Sequence, residues 1–127
     1  MGDNENPRGA QVLALVADLI FAARVRGAAP AGVAVRTTSR AEQLKAAAAV
    51  AVPGLILVDL SAGDDPVGLI RWVRSEARLE GVRVVAFGSH VDVERLSAAR
   101  AAGADTVLAR SAFVGRLPDL LAGRSAQ

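Results

Sequence analysis

The sequence predicts an α/β domain built on a doubly wound, five-stranded parallel sheet between two helical layers, in three-layer α/β/α form. Three observations predict it. Five short apolar runs recur along the chain. Segments with helical spacing alternate with them, bounded by Gly, Pro and Ser. The runs are apolar throughout rather than alternating, which marks strands buried on both faces, and parallel strands need crossover connections. At 127 residues the chain is long enough for one domain with a real core.

Residues 1–10, polar and carrying Gly, Pro and Asn, are expected to form a disordered lead. The domain is expected over 11–123, with 124–127 as a tail. "QVLALVA" (11–17) reads as strand one and "DLIFAARVRGAA" (18–29) as a helix stopped by Pro30 and Gly32. "VAVRTT" (33–38) is strand two. The next helix, 39–52, opens on Ser39 with Glu42 three residues on, the pattern of a capping box. Pro53 and Gly54 break it, and "LILVDL" (55–60) is strand three. In 61–81 a loop precedes a helix, with Asp65 as N-cap, Pro66 at the first helical position and Gly81 as its end. "VRVVAF" (82–87) is strand four. Asp92 caps a helix stopped at Gly103. "TVLAR" (106–110) is strand five, and 112–123 is the last helix, with a kink expected at Pro118. Right-handed crossovers make the sheet doubly wound, and with five strands the order 2-1-3-4-5, the flavodoxin-like arrangement, follows.

Composition narrows the chemistry. The absence of cysteine excludes disulfides, thiolate metal sites and thiol catalysis. No run reaches the roughly 18 apolar residues of a membrane span, and the first ten residues do not have the form of a secretory signal. A cytoplasmic location without membrane contact is the expectation. Fourteen of the fifteen basic residues are Arg, Lys45 being the exception, but they are interleaved with acids and the net charge is only +2. No stripe suits a phosphate backbone, so nucleic-acid binding is not expected.

In such a sheet the carboxyl ends of all strands open onto one crevice. The residues just past the strands are Asp18, Thr37 and Thr38, Asp59, the trio Gly88, Ser89 and His90, and Arg110 with Ser111. Two carboxylates sharing a crevice repel and invite a cation between them. Asp18 and Asp59 are therefore candidate ligands for Mg²⁺, while Arg110 is an alternative source of positive charge. A carboxylate beside Mg²⁺ with a cation opposite can act as a nucleophile toward a phosphoryl group. The plainer readings stand beside these. Asp59 can accept hydrogen bonds from loop amides, Asp18 can cap the first helix, and Arg110 can be the structural partner of Asp59. His90 can sense pH or donate to a ligand. Ser89, His90 and Asp92 do not make a triad by adjacency alone. Trp72 lies off the apolar stripe of its helix, and packing over neighbouring Arg or Glu stems is its simplest role.

From 11 to 123 the chain resembles the receiver domain of bacterial two-component response regulators. "ALVAD" (14–18), "LILVDL" (55–60), "VVAFGSH" (84–90) and "AAGADTVLARSAF" (101–113) carry the resemblance. It implies that Asp59 is the phosphoacceptor and that Asp18 is one of the acidic pair that binds Mg²⁺. The sequence departs from the family pattern at several positions. The other acid falls at Ala17, the strand-four hydroxyl at Gly88, the lysine at Arg110 and the following proline at Ser111, with Ala112 as an apparent extra residue. The switch aromatic of strand five falls at Val107. Arg cannot copy the point contact of a lysine, Gly88 has no hydroxyl, and Val107 has no ring to swing.

The expectation is a stand-alone, degenerate receiver-like module (a pseudo-receiver) that signals by protein contact and performs no enzymatic turnover. A working phosphorylatable receiver is the second reading. A small-molecule-binding flavodoxin-like domain is the third, and "ADLIF" offers no phosphate loop for it. The resemblance implies a histidine kinase or downstream regulator as partner. It also implies a possible homodimer through helix four, strand five and helix five, where Ala98, Ala99, Ala101 and Ala102 give a flat face.

Overall fold

The computed structural model describes residues 11–123. The expected lead, 1–10, and tail, 124–127, lie outside the described residues. The elements run β1 (Gln11–Leu15), α1 (Leu19–Gly27), β2 (Ala34–Thr38), α2 (Ala41–Val50), β3 (Leu55–Asp59), α3 (Pro66–Ser75), a 3-10 turn (Ala77–Leu79), β4 (Arg83–Gly88), α4 (Val93–Ala102), β5 (Thr106–Ala109) and α5 (Arg110–Leu121). All strand pairs are parallel, in the order β2-β1-β3-β4-β5. The fold class and strand order are as the sequence predicts.

Strand alternation divides the core in two. Leu13, Leu15, Ile56, Val58, Val84 and Ala86 face α2, α3 and α4. Val12, Ala14, Leu55, Leu57, Val85 and Phe87 face α1 and α5. The three inner strands are therefore apolar at nearly every position, because each side chain enters one core or the other. β3 is buried along its whole length, whereas the edge strands β2 and β5 are only partly covered.

Several local expectations change. The capping box at Ser39 does not form. Arg40 is the N-cap of α2 and makes no side-chain cap. Instead Asp64, in the loop after β3, accepts from the Ala41 amide at 2.5 Å. Thr38 Oγ1 accepts from Arg40 N at 3.1 Å, so the turn before α2 is organised by residues flanking Ser39. Asp65 does cap α3, through Gly68 N at 3.1 Å, with Pro66 opening the helix. α3 ends at Ser75 rather than Gly81, because Glu76 is extended. An unbroken helix would set Leu79 about 120° around the axis from Val73; the break brings Leu79 into the core. β5 stops at Ala109 and α5 begins at Arg110, two residues earlier than expected. α5 runs from Arg110 to Leu121 with Pro118 inside it.

Arg74 joins the second half of the domain. Its guanidinium donates to the carbonyls of Gly103 and Val82 at 2.8 and 2.9 Å and pairs with Asp105 at 2.5 Å. Gly103 closes α4 with φ +115°, and a Cβ there would lie 2.5 Å from Arg74 Cγ. This position requires glycine for both reasons. Trp72 is half-buried and packs under Lys45, whose Nζ lies 5.5 Å from the ring centroid. The stem over it is thus a lysine of α2 rather than Arg or Glu.

Candidate functional site

β3 carries Asp59 to the carboxyl edge as its last residue, in register with Phe87 of β4. Asp59 has the same parity as Leu55 and Leu57, so its carboxylate turns toward the α1 and α5 side. It is the one buried polar side chain among the described residues, at 1% exposure. A buried carboxylate needs donors or a counter-charge. Ser61 supplies two donors to Oδ1, its amide at 2.9 Å and its hydroxyl at 2.6 Å. The amide contact is an Asx-turn, the local bond Asp makes to backbone two residues on.

Arg110 supplies the counter-charge from the first turn of α5. Its Nη2 lies 3.5 Å from Asp59 Oδ1 and 3.3 Å from Ser61 Oγ. At 3.5 Å the contact is chiefly electrostatic rather than a short hydrogen bond. The guanidinium is held by more than the acid. Its Cζ sits 4.6 Å from the Phe21 ring centroid and 5.6 Å from that of Phe87. Phe87 stacks on Phe113 at 3.9 Å, with the rings 10° apart. All three phenylalanines of the chain thus gather under one arginine, an arrangement a planar cation exploits and a lysine would use less well.

Asp18 is exposed at the neighbouring strand end and caps α1. Its Oδ1 accepts from Ile20 N at 2.8 Å and Phe21 N at 3.2 Å. Gly88 ends β4, where a Cβ would meet Leu60 Cβ at 3.2 Å. Ser89 Oγ accepts from Val91 N at 3.3 Å, and Asp92 caps α4 while pairing with Arg95 at 3.3 Å. Ser89 and Asp92 are thus committed to their own loop. His90 and Ser111 are exposed. Arg95 Nη1 also donates to Leu60 O at 3.0 Å, tying the loop after β3 to α4.

The expected neighbourhood therefore gathers at one edge, but its members have different partners. Asp59 and Arg110 meet, while Asp18 serves its helix. The donor set does not fit a six-coordinate Mg²⁺ ion. Position 17 carries a methyl, Asp18 Oδ1 is used as a cap, and Asp59 already faces a guanidinium. Among the described residues no three His, Cys, Asp or Glu side chains are placed to hold a metal. Sequence reasoning missed Ser61, Phe21 and Phe87. Ser61 was legible as an Asx-turn position two residues after Asp59; the phenylalanines read only as core.

The parallel 2-1-3-4-5 sheet between two helical layers, with an acid buried at the end of its central strand, has the flavodoxin-like fold shared by receiver domains. Response regulators are among the solved structures to which the chain is similar. A phosphorylated cyanobacterial phytochrome response regulator, RcpA, superposes with a TM-score of 0.74 at 16% identity, covering 90% of this chain and 89% of its own. The receiver domain of NtrX from Brucella abortus gives 0.74 at 20% identity, with 90% and 99% covered. A response regulator from Burkholderia pseudomallei, with a phosphorylated aspartic acid, calcium ion and citrate, gives 0.74 at 25% identity, with 87% and 65% covered. The chain spans a quarter of the longer NtrX chains it resembles. No family model matches the chain, and no curated protein matches it in sequence. No helix among the described residues is long and apolar enough to cross a membrane.

Proposed function

We propose that this chain is a receiver-type signalling module that acts by protein contact, with the Arg110 guanidinium supplying from within the chain the positive charge that faces Asp59. One observation carries the reading: the Arg110 guanidinium lies 3.5 Å from the buried Asp59 carboxylate. The charge of Asp59 is balanced from within the chain, and Ser61 fills its donor requirement. A divalent ion brought to this point would meet a fixed positive charge and one uncommitted carboxylate oxygen.

The surface around the crevice supports contact as the mode of action. Five large apolar side chains are strongly exposed among the described residues, and four of them ring this edge: Leu19 and Ile20 after β1, Val91 and Val93 after β4. β1 and β4 flank β3, so the two pairs stand on either side of Asp59. Clustered exposed apolar groups around a polar centre are characteristic of protein-binding sites. A histidine kinase or a downstream regulator is the partner the receiver fold suggests. β5, half-covered at the other sheet edge, is where a homodimer through α4, β5 and α5 would form.

The experiment is incubation with acetyl phosphate and Mg²⁺, read by intact mass. The reading expects no phosphate-sized gain. A gain that disappears in Asp59→Asn would replace it with a working phosphoacceptor.

A further inference from the structure

Among the described residues β2 is an edge strand, hydrogen-bonded to β1 on one side only. Its outer row of N–H and C=O groups is what a further strand would pair with, and natural edges are usually blunted by Lys, Pro or a bulge. Beside it, between β2 and α2, lies a groove of about 420 Å³, within the range of ligand sites. Leu13, Leu44 and Ala47 form its buried floor, and Val50 stands on its rim at 87% exposure. Thr38 Oγ1 donates to Gln43 Oε1 at 2.5 Å at its polar end.

Arg36 is the sole charged residue lining this groove. Its register partner is Leu13, which places it on the α2 face of the sheet. Its guanidinium makes no ion pair or hydrogen bond with another described residue, whereas the other side chains lining the groove are apolar or neutral. An unpaired guanidinium is a ready receptor for a carboxylate.

We infer that the β2 edge and its groove bind an extended peptide segment of a partner protein, with an acidic side chain opposite Arg36 and apolar side chains on the same face. Main-chain bonds to β2 supply the docking, and every second side chain of the added strand enters the groove. Charge selects this occupant over a second copy of the chain. Arg36 is the middle residue of β2, so antiparallel pairing of two β2 strands about a two-fold axis sets two guanidinium groups face to face, which is destabilising.

Titration of the ¹⁵N-labelled protein with a blocked pentapeptide, Val-Thr-Glu-Thr-Val, tests this against the matched Val-Thr-Lys-Thr-Val. The glutamate peptide is expected to give saturable amide shifts over 34–38 and 43–50, with roughly tenfold weaker binding of the lysine peptide, the size of one charge-assisted contact. Arg36→Glu, an exposed substitution, should invert that preference, and Val50→Asp should weaken both peptides. Equal binding of the two peptides, no shifts in these segments, or shifts that instead follow protein concentration in the absence of peptide would overturn the proposal.

Discussion

Arg110 and Asp59 form an ion pair of unequal partners: the carboxylate is 1% exposed and the guanidinium 38%. The acid therefore depends on the arginine more than the reverse. The arginine also rests on Phe21 and Phe87, so it stays beside the acid without a short bidentate bond. An arginine placed by its aromatic seat is a fixed charge, where a receiver lysine would be a movable one.

Removing Arg110 leaves Asp59 buried without a counter-charge. Breaking a fully buried pair costs about 3–5 kcal/mol. The half-open guanidinium and its 3.5 Å reach reduce this, so Arg110→Met should cost about 1–2 kcal/mol in urea unfolding. Asp59→Asn keeps an acceptor for Ser61 and removes the charge. In that background Arg110→Met should cost about 0.5 kcal/mol, and the difference is the coupling between the two.

Asp18 is a helix cap in this account, so its replacements should follow cap chemistry. Asp18→Ala should lose about 1 kcal/mol, and Asp18→Asn should recover most of it. Thermal melts of both variants should be indifferent to millimolar Mg²⁺. A loss in Asp18→Asn equal to that in Asp18→Ala would speak against the cap as its main role.

The far side of the domain is held by Arg74 and Gly103. Arg74→Met takes the guanidinium donor from two carbonyls and the counter-charge from Asp105, whose Oδ2 keeps the Val84 amide, and should cost about 2–3 kcal/mol. Gly103→Ala combines a positive φ with a clash on Arg74 and should cost about 1–3 kcal/mol. Denaturant midpoints would measure both.

The departures from the receiver pattern are few enough to reverse. Ala17→Asp, Gly88→Ser and Arg110→Lys together add an acid, a hydroxyl and a movable cation at the crevice. Leu60 must yield slightly to a Cβ at Gly88. This triple variant should gain a phosphate-sized mass with acetyl phosphate and Mg²⁺, dependent on Asp59. Failure to gain it would show that the crevice differs in more than these three side chains.

The sheet was legible because its inner strands serve two cores. β1, β3 and β4 are apolar at almost every position for that reason, and Gly and Pro punctuate the crossovers. That Asp59 and Arg110 share one edge followed from the strand order, and an ion pair between them was one of the two readings of Arg110. Other features did not follow. The cap of α2 comes from Asp64, 23 residues away, so no local pattern at Ser39 could reveal it. The seat of Arg110 is built from Phe21, Phe87 and Phe113, which lie on three different elements and read singly as ordinary core. The break at Glu76 was hidden because its cause is the tertiary demand of burying Leu79.

The Arg110 guanidinium balances the buried Asp59 carboxylate from within the chain, which leaves no need for a metal ion beside it. Titrating the ¹⁵N-labelled chain with Mg²⁺ tests it most directly, by following the amides of residues 17–20, 59–62 and 110–111. No saturable shifts are expected there in the native protein, and they should appear when Arg110→Lys is combined with Ala17→Asp. Saturable millimolar shifts at these amides in the native chain, abolished by Asp59→Asn, would contradict it.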